Sequence, residues 1–137
     1  MSARGKARKR ALDVLFEADA KAVPVQQVLV EHQRRREADG EPALNEYSVA
    51  LVEGVIGHQA DIDALITAHA TGWDMSRMPG VDRAILRIAV FELTQSTDVP
   101  QAVAISEAVR MAEELSTDQS AGFINGVLGA VAVGRPA

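Results

Sequence analysis

Apolar side chains recur along this chain with the three-and-four spacing of amphipathic helices. In residues 6–20, Ala7, Ala11, Val14, Leu15 and Ala18 form one stripe, and Leu12 and Phe16 make a second ridge beside it. Pro24 lacks the amide that a continuing helix needs, so this helix ends in 21–24. A second helix over 24–36 carries Val25, Val28 and Leu29, with Arg34, Arg35 and Arg36 near its end, where cations suit the dipole. Residues 38–43, Ala-Asp-Gly-Glu-Pro-Ala, read as a loop.

A long third helix is predicted over 45–71 from Tyr47, Leu51 and Val55, then Ile62, Leu65 and Ile66. Gly54 and Gly57 weaken its middle by about 1 kcal/mol each against alanine, so they serve close approach of another helix or mark a bend. Residues 73–80 are a connector with room for a short helical turn. From Val81, the positions Ile85, Ile88, Ala89 and Leu93 define a fourth helix, widened by Leu86 and Phe91. Pro100 suits the first turn of a fifth, with Ala104, Ile105, Ala108, Met111, Ala112 and Leu115. Ser116 and Gln119 have capping-box spacing before a sixth, which holds Phe123, Ile124, Val127, Leu128 and Val131.

Asn125-Gly126 would mark a hairpin between strands, but no alternating segments flank it. Gly122, Gly126 and Gly129 are spaced for close helix packing, and residues 134–137 form a frayed tail. The expected architecture is all-α, about six or seven helices in two packed three-helix bundles. One domain over 1–137 is the natural expectation for this length.

Charge changes the picture more than composition does. Arg4, Lys6, Arg8, Lys9 and Arg10 fall in the first ten residues with no acid among them, while the whole chain is acidic at a net −5. A basic end on an acidic body is the footprint of local polyanion binding. The absence of cysteine excludes disulfides, thiolate metal sites and a cysteine nucleophile, and fits a cytoplasmic protein. No apolar run has the ~20 residues of a membrane span. Asp13, Glu17 and Asp19 interrupt any signal-peptide pattern after the basic end.

Catalytic chemistry is hard to find. His32, His58 and His69 do not pair at i, i+4, and no carboxylate cluster completes a metal site. Asp61 and Asp63 diverge on their helix, as do Glu113 and Glu114. There is no phosphate loop, dinucleotide fingerprint or nucleophile elbow. Phe123 and Phe16 are double-valued, since aromatic rings on helices are more often core than platforms for bases. Asp82 either complements its helix dipole or, at an exposed helix start, offers a docking point to a basic partner.

Taken in order, the motifs resemble a known family. They are Ala7-Arg8-Lys9-Arg10-Ala11-Leu12-Asp13-Val14-Leu15-Phe16, Leu51-Val52-Glu53-Gly54-Val55, and Val81-Asp82-Arg83-Ala84-Ile85-Leu86-Arg87-Ile88-Ala89 with Phe91-Glu92-Leu93. Val99-Pro100, Val103-Ala104-Ile105-Ser106-Glu107-Ala108-Val109 and Phe123-Ile124-Asn125-Gly126-Val127-Leu128 complete the set. Over nearly the whole chain this series resembles the NusB family of bacterial antitermination factors.

The resemblance implies two three-helix bundles, no catalysis and no cofactor. It implies binding of boxA single-stranded RNA in nascent ribosomal transcripts, jointly with NusE, a small-subunit ribosomal protein. It further implies loading onto RNA polymerase with other Nus factors to resist premature termination. Carried over by position, Arg4, Lys6, Arg8, Lys9 and Arg10 match the family's RNA-contacting start, and Phe123 its aromatic beside the RNA. Phe16 stands where the family has a tyrosine linked to RNA and partner binding, keeping the ring without the hydroxyl. Asp82 stands at the acidic NusE-facing position. The segment 116–122 lacks the lysine that some relatives carry near Phe123. Five cations on phosphates would give a salt slope near ~−3.5, at about −0.7 per contact. Two other readings are the detached RNA-binding domain of a ribosomal RNA cytosine methyltransferase and a helical scaffold acting through homodimer formation.

Overall fold

The stripes fold into helices in a computed structural model that describes residues 2–96 and 98–134. The helices are α1 Ala3–Lys21, α2 Val25–Ala38, α3 Glu46–His69, α4 Gly80–Gln95, α5 Gln101–Leu115 and α6 Ser120–Val133. A one-turn 3-10 helix, Met75–Arg77, lies in the connector before α4. Among the described residues there is no strand. Helices α1–α3 form one bundle and α4–α6 the other. Helix α4 packs on α1 and α3 as well as on α5 and α6, so it joins the two.

That role follows from its composition. Asp82, Ala84, Ile85, Leu86, Ile88, Ala89, Val90 and Glu92 are all buried, so α4 is enclosed on nearly every side. One apolar cluster runs from Ala11 and Leu15 through Leu51, Val55, Ile85 and Ile88 to Ile124 and Leu128. Each fully buried leucine or isoleucine of this kind contributes about 1.5–3 kcal/mol.

Helix α1 starts earlier than its apolar stripe. The Ser2 side chain accepts from the Gly5 amide at 3.0 Å and caps the helix, so the whole basic cluster is helical from its first turn. In α3, Gly54 admits the Phe91 ring of α4, and a Cβ there would fall 2.2 Å from that ring. The bend lies at His58 (φ −125°, ψ 16°), whose Nδ1 donates to the Gly54 carbonyl at 3.0 Å. Gly57 faces open space.

Two expectations fail. Gly122, Gly126 and Gly129 pack against nothing, with no atom within 4 Å of where a Cβ would stand. The core stripe of α6 is Ile124, Val127, Leu128 and Val131, which turns the glycines outward. The capping box does not form either. Helix α6 opens at Gln119 without a side-chain cap, while Ser116 closes α5 and turns to α4. Of the expected frayed tail only Gly134 is described, as the C-cap of α6, and the rest lies outside the described residues.

Candidate nucleic-acid interface

Helix α1 runs antiparallel to α4, because Arg8 meets Glu92 while Arg83 meets Asp19. The five basic residues therefore sit at the C-terminal end of α4, and they do not act alike. Lys6 and Arg10 are exposed and have no ionic partner among the described residues. Lys9 pairs with Asp13 at 2.6 Å, one turn along. Arg4 reaches Asp98 at 2.7 Å and lies over the Tyr47 ring, 4.5 Å from its centroid. The Asp98 hydrogen bond raises the Arg4 pKa.

Arg8 departs from the expectation. It is 3% exposed, and its Nε donates to both Glu92 carboxylate oxygens at 3.0 Å. Glu107 lies 3.5 Å from its Nη1, and the Tyr47 hydroxyl donates to Glu92. Burial alone would lower the Arg8 pKa, but the hydrogen bond and charge of Glu92 raise it instead. Tyr47 is pushed up, first by burial and then by its bond to Glu92. The cause is register: Arg8 precedes Leu12 by four and Leu15 by seven, so it lies on the core face. The exposed positive group is Arg4, Lys6, Lys9 and Arg10.

A fifth surface cation comes from α2. A depression of about 520 Å³ is lined by Lys6, Lys9, Arg10, Arg36 and Asn45, with Asp13 as its acid. Arg36 is held over it by donating to the Pro42 carbonyl at 2.7 Å, with Glu41 at 3.4 Å. Its place near a helix end offered a dipole argument and no hint of this convergence.

The other end of α1 is aromatic. Phe16 is 40% exposed and covers Gly80, where a Cβ would stand 3.1 Å from the ring. Phe123 is half-buried and touches Trp73, with ring centroids 5.8 Å apart at 57°. Arg83 organises this end. It donates to Asp19 on α1 at 2.7 and 2.9 Å, and to the Met75 and Met78 carbonyls of the connector at 2.9 and 2.8 Å. Ten residues separate Lys6 from Phe16 on α1, so the two ends lie about 15 Å apart along the helix.

Asp82 is also not where an exposed docking acid would be. It is 2% exposed and accepts from the Ser116 hydroxyl at 2.5 Å and the Ser120 hydroxyl at 2.9 Å. It precedes Ile85 by three and Leu86 by four, so it shares their buried face. Its role is to pin the turn between α5 and α6 against α4, which sets where Phe123 emerges.

Among the described residues no group of histidine, aspartate and glutamate is placed to hold a metal, and no helix is long and apolar enough to cross a membrane. A double helical bundle with a cationic end and an aromatic end defines a binding protein. The NusB family pattern matches residues 5–133, and the chain belongs to the NusB family. The transcription antitermination protein NusB of Acidothermus cellulolyticus is 53% identical over 131 residues, spanning 96% of this chain and 88% of the relative. The protein of that name from Nocardioides sp. is 48% identical, spanning 99% and 98%. Among solved structures, T. maritima NusB superposes with a TM-score of 0.82 at 27% identity, covering 96% of this chain and 92% of that one. The antitermination factor NusB in a complex with NusE and double-stranded RNA shares the fold, with a TM-score of 0.81 at 24% identity over 96% and 97%. Family membership makes this chain a non-enzymatic antitermination factor.

Proposed function

We propose that residues 1–137 act as one RNA-binding domain, which takes boxA single-stranded RNA of nascent ribosomal transcripts together with NusE. In this reading the pair joins RNA polymerase and other Nus factors in the cytoplasm and opposes premature termination. The observation that carries it is the division of the surface. Lys6 and Arg10, unpaired among the described residues, share a depression with Lys9 and Arg36 on an otherwise acidic chain, and an exposed aromatic group stands at the far end of α1. Cations attract phosphates regardless of sequence. Sequence preference then has to come from bases splayed onto rings and hydrogen-bonding groups.

Arg4, Lys6, Lys9 and Arg10 are the phosphate contacts of this reading, and Arg8 supports them from inside. Arg4 and Lys9 exchange exposed carboxylates for phosphates, a small loss because solvent screens such pairs. Four contacts give a salt slope near ~−2.8. Phe123 contacts the RNA, and Phe16 is the residue of that end left open to NusE. Support for an RNA and NusE partnership comes from the relative crystallised with both. The acidic remainder of this surface suits a basic ribosomal partner.

The experiment is binding to boxA RNA and to a scrambled control at two salt concentrations, with and without NusE. Preference for boxA that strengthens with NusE is expected. Equal, weak binding to both RNAs, indifferent to NusE, overturns the reading.

A further inference from the structure

The strongest feature that the sequence pattern did not single out is the corner between the connector and α6. Trp73 is 52% exposed, the most open large ring of the described residues. Its position is built rather than incidental. Its amide donates to the Ala70 carbonyl at 3.0 Å, closing a turn in which Gly72 takes φ +80°, a conformation glycine adopts freely. On its other side the Asp74 carboxylate accepts from the Ser76 amide at 2.9 Å and from the Ser76 hydroxyl at 2.8 Å, fixing the 3-10 turn. Those bonds hold the Asp74 carboxyl below its ordinary range. A ring that only filled the core would be covered, yet more than half of this one faces water.

Beside it lies a cleft of about 250 Å³ lined by Trp73, Phe123, Arg77, Thr117 and Gln119. That is smaller than the ~300–1,000 Å³ of drug-sized sites. Because the two rings touch at a tilt, nothing slides between them. They form a corner, in which a flat group stacked on one ring meets the edge of the other. Arg77 has no ion pair among the described residues. The one acid lining the cleft, Asp82, has both oxygens occupied by serine hydroxyls. An aromatic corner with a free cation, whose one acid is buried and has both oxygens turned to hydroxyls, fits an unpaired base with its phosphate, and the hydroxyl and amide of Thr117 and Gln119 stand within the same cleft.

We propose that Trp73 and Phe123 together receive one unpaired base of the bound RNA, with Arg77 on the adjoining phosphate. The proposal rests on the RNA-binding reading and adds Trp73 and Arg77 to it. Base–ring stacking tolerates any base, whereas hydrogen-bonding groups beside it discriminate.

Trp73 is the sole tryptophan of the chain, so its emission reports this corner alone. The full chain is titrated with boxA-containing single-stranded RNA while RNA anisotropy follows binding independently. A series of RNAs, each with one abasic position, is titrated in parallel. The expected result is quenching of Trp73 with the same midpoint as the anisotropy. One abasic position abolishes the quench and weakens binding to the wild type. Trp73→Ala weakens intact RNA by about 5- to 150-fold, the cost of one lost stack, and loses nothing further on that abasic RNA. Trp73→Phe recovers most of the affinity. RNA that binds with unchanged emission, or binds Trp73→Ala as tightly as wild type, overturns the proposal and leaves the RNA reading standing. Quenching by NusE but not by RNA overturns it in favour of a protein-docking corner. No RNA binding by any probe overturns both.

Discussion

Where the first turns of α1 meet the end of α4, the buried acid Glu92 is held by a cation, Arg8, and by the Tyr47 hydroxyl. At the opposite end of α4, the buried acid Asp82 is held by two hydroxyls, Ser116 and Ser120. The same problem, a carboxylate taken out of water, has two solutions with opposite effects on the surface. Satisfying Glu92 withdraws a cation from the basic end. Satisfying Asp82 with neutral hydroxyls holds that acid buried beside the aromatic corner without drawing a cation from the surface. Both ends thus emerge with surface chemistry that their sequences alone misstate.

The contrast breaks most sharply at Arg8. Arg8→Ala leaves Glu92 buried and without its cation, a loss of about 3–5 kcal/mol. Against a total stability of about 5–15 kcal/mol, that brings the protein close to unfolding. Urea denaturation should show the midpoint collapse for Arg8→Ala, while Arg10→Ala stays within about 0.5 kcal/mol of the parent. Replacing both partners with apolar residues, Arg8→Met with Glu92→Leu, should restore most of the stability. Equal, small losses for Arg8→Ala and Arg10→Ala would show that Arg8 belongs to the surface group.

Asp82→Ala should cost less, about 1–3 kcal/mol, because the partners it abandons are neutral. They also have each other: the Ser116 and Ser120 hydroxyls lie 3.0 Å apart, and Thr117 is 2.7 Å from Ser120. The same denaturation series ranks the two ends. A loss from Asp82→Ala as large as that from Arg8→Ala would erase the distinction between cationic and hydroxyl satisfaction.

Periodicity made the six helices legible because each buries a stripe against α4 or its neighbours. It also held the answer at two misjudged positions. Arg8 with Leu12 and Leu15, and Asp82 with Ile85 and Leu86, keep core spacing, so their polar type concealed an inward register. Their partners could not be read: Glu92 is 84 residues from Arg8, and Ser120 is 38 from Asp82. Arg36 and Trp73 were missed because convergence in space leaves no local pattern. The glycines of α6 failed as Arg8 and Asp82 did: Gly122, Gly126 and Gly129 lie opposite the stripe of Ile124, Val127, Leu128 and Val131, so their spacing fits a packing motif but their face looks outward.

At the RNA, the two ends should separate by what they change. Lys6→Ala and Arg10→Ala should each reduce the salt slope of RNA binding by about 0.7, whatever the sequence of the RNA. Phe123→Ala should weaken boxA binding by about 1–3 kcal/mol if its ring stacks, with the slope untouched. Binding isotherms over a salt series measure both quantities in one experiment. A slope change from Phe123→Ala, or a loss confined to boxA from Lys6→Ala, would merge the two ends into one mixed surface.

The smallest effect lies along α1 itself, where bare cations on the first turns give way to a neutralised acid on the last. Glu17 accepts from Lys21 at 3.0 Å and faces the His32 ring at 2.9 Å, with Arg35 at 3.5 Å. The His32 bond first, then the Lys21 bond, lower its pKa from 4.5 to about 2. A depressed carboxylate contributes stability that is complete above the unfolded value and fades as pH falls through the folded one. Glu17→Gln should therefore lie below wild type at neutral pH by about 1 kcal/mol or less, since the pair is partly exposed. The gap should close between pH 4.5 and about 2. Urea midpoints measured across that window decide it: a gap that persists unchanged at the acid end would mean the glutamate anchors α2 through packing and not through its charge.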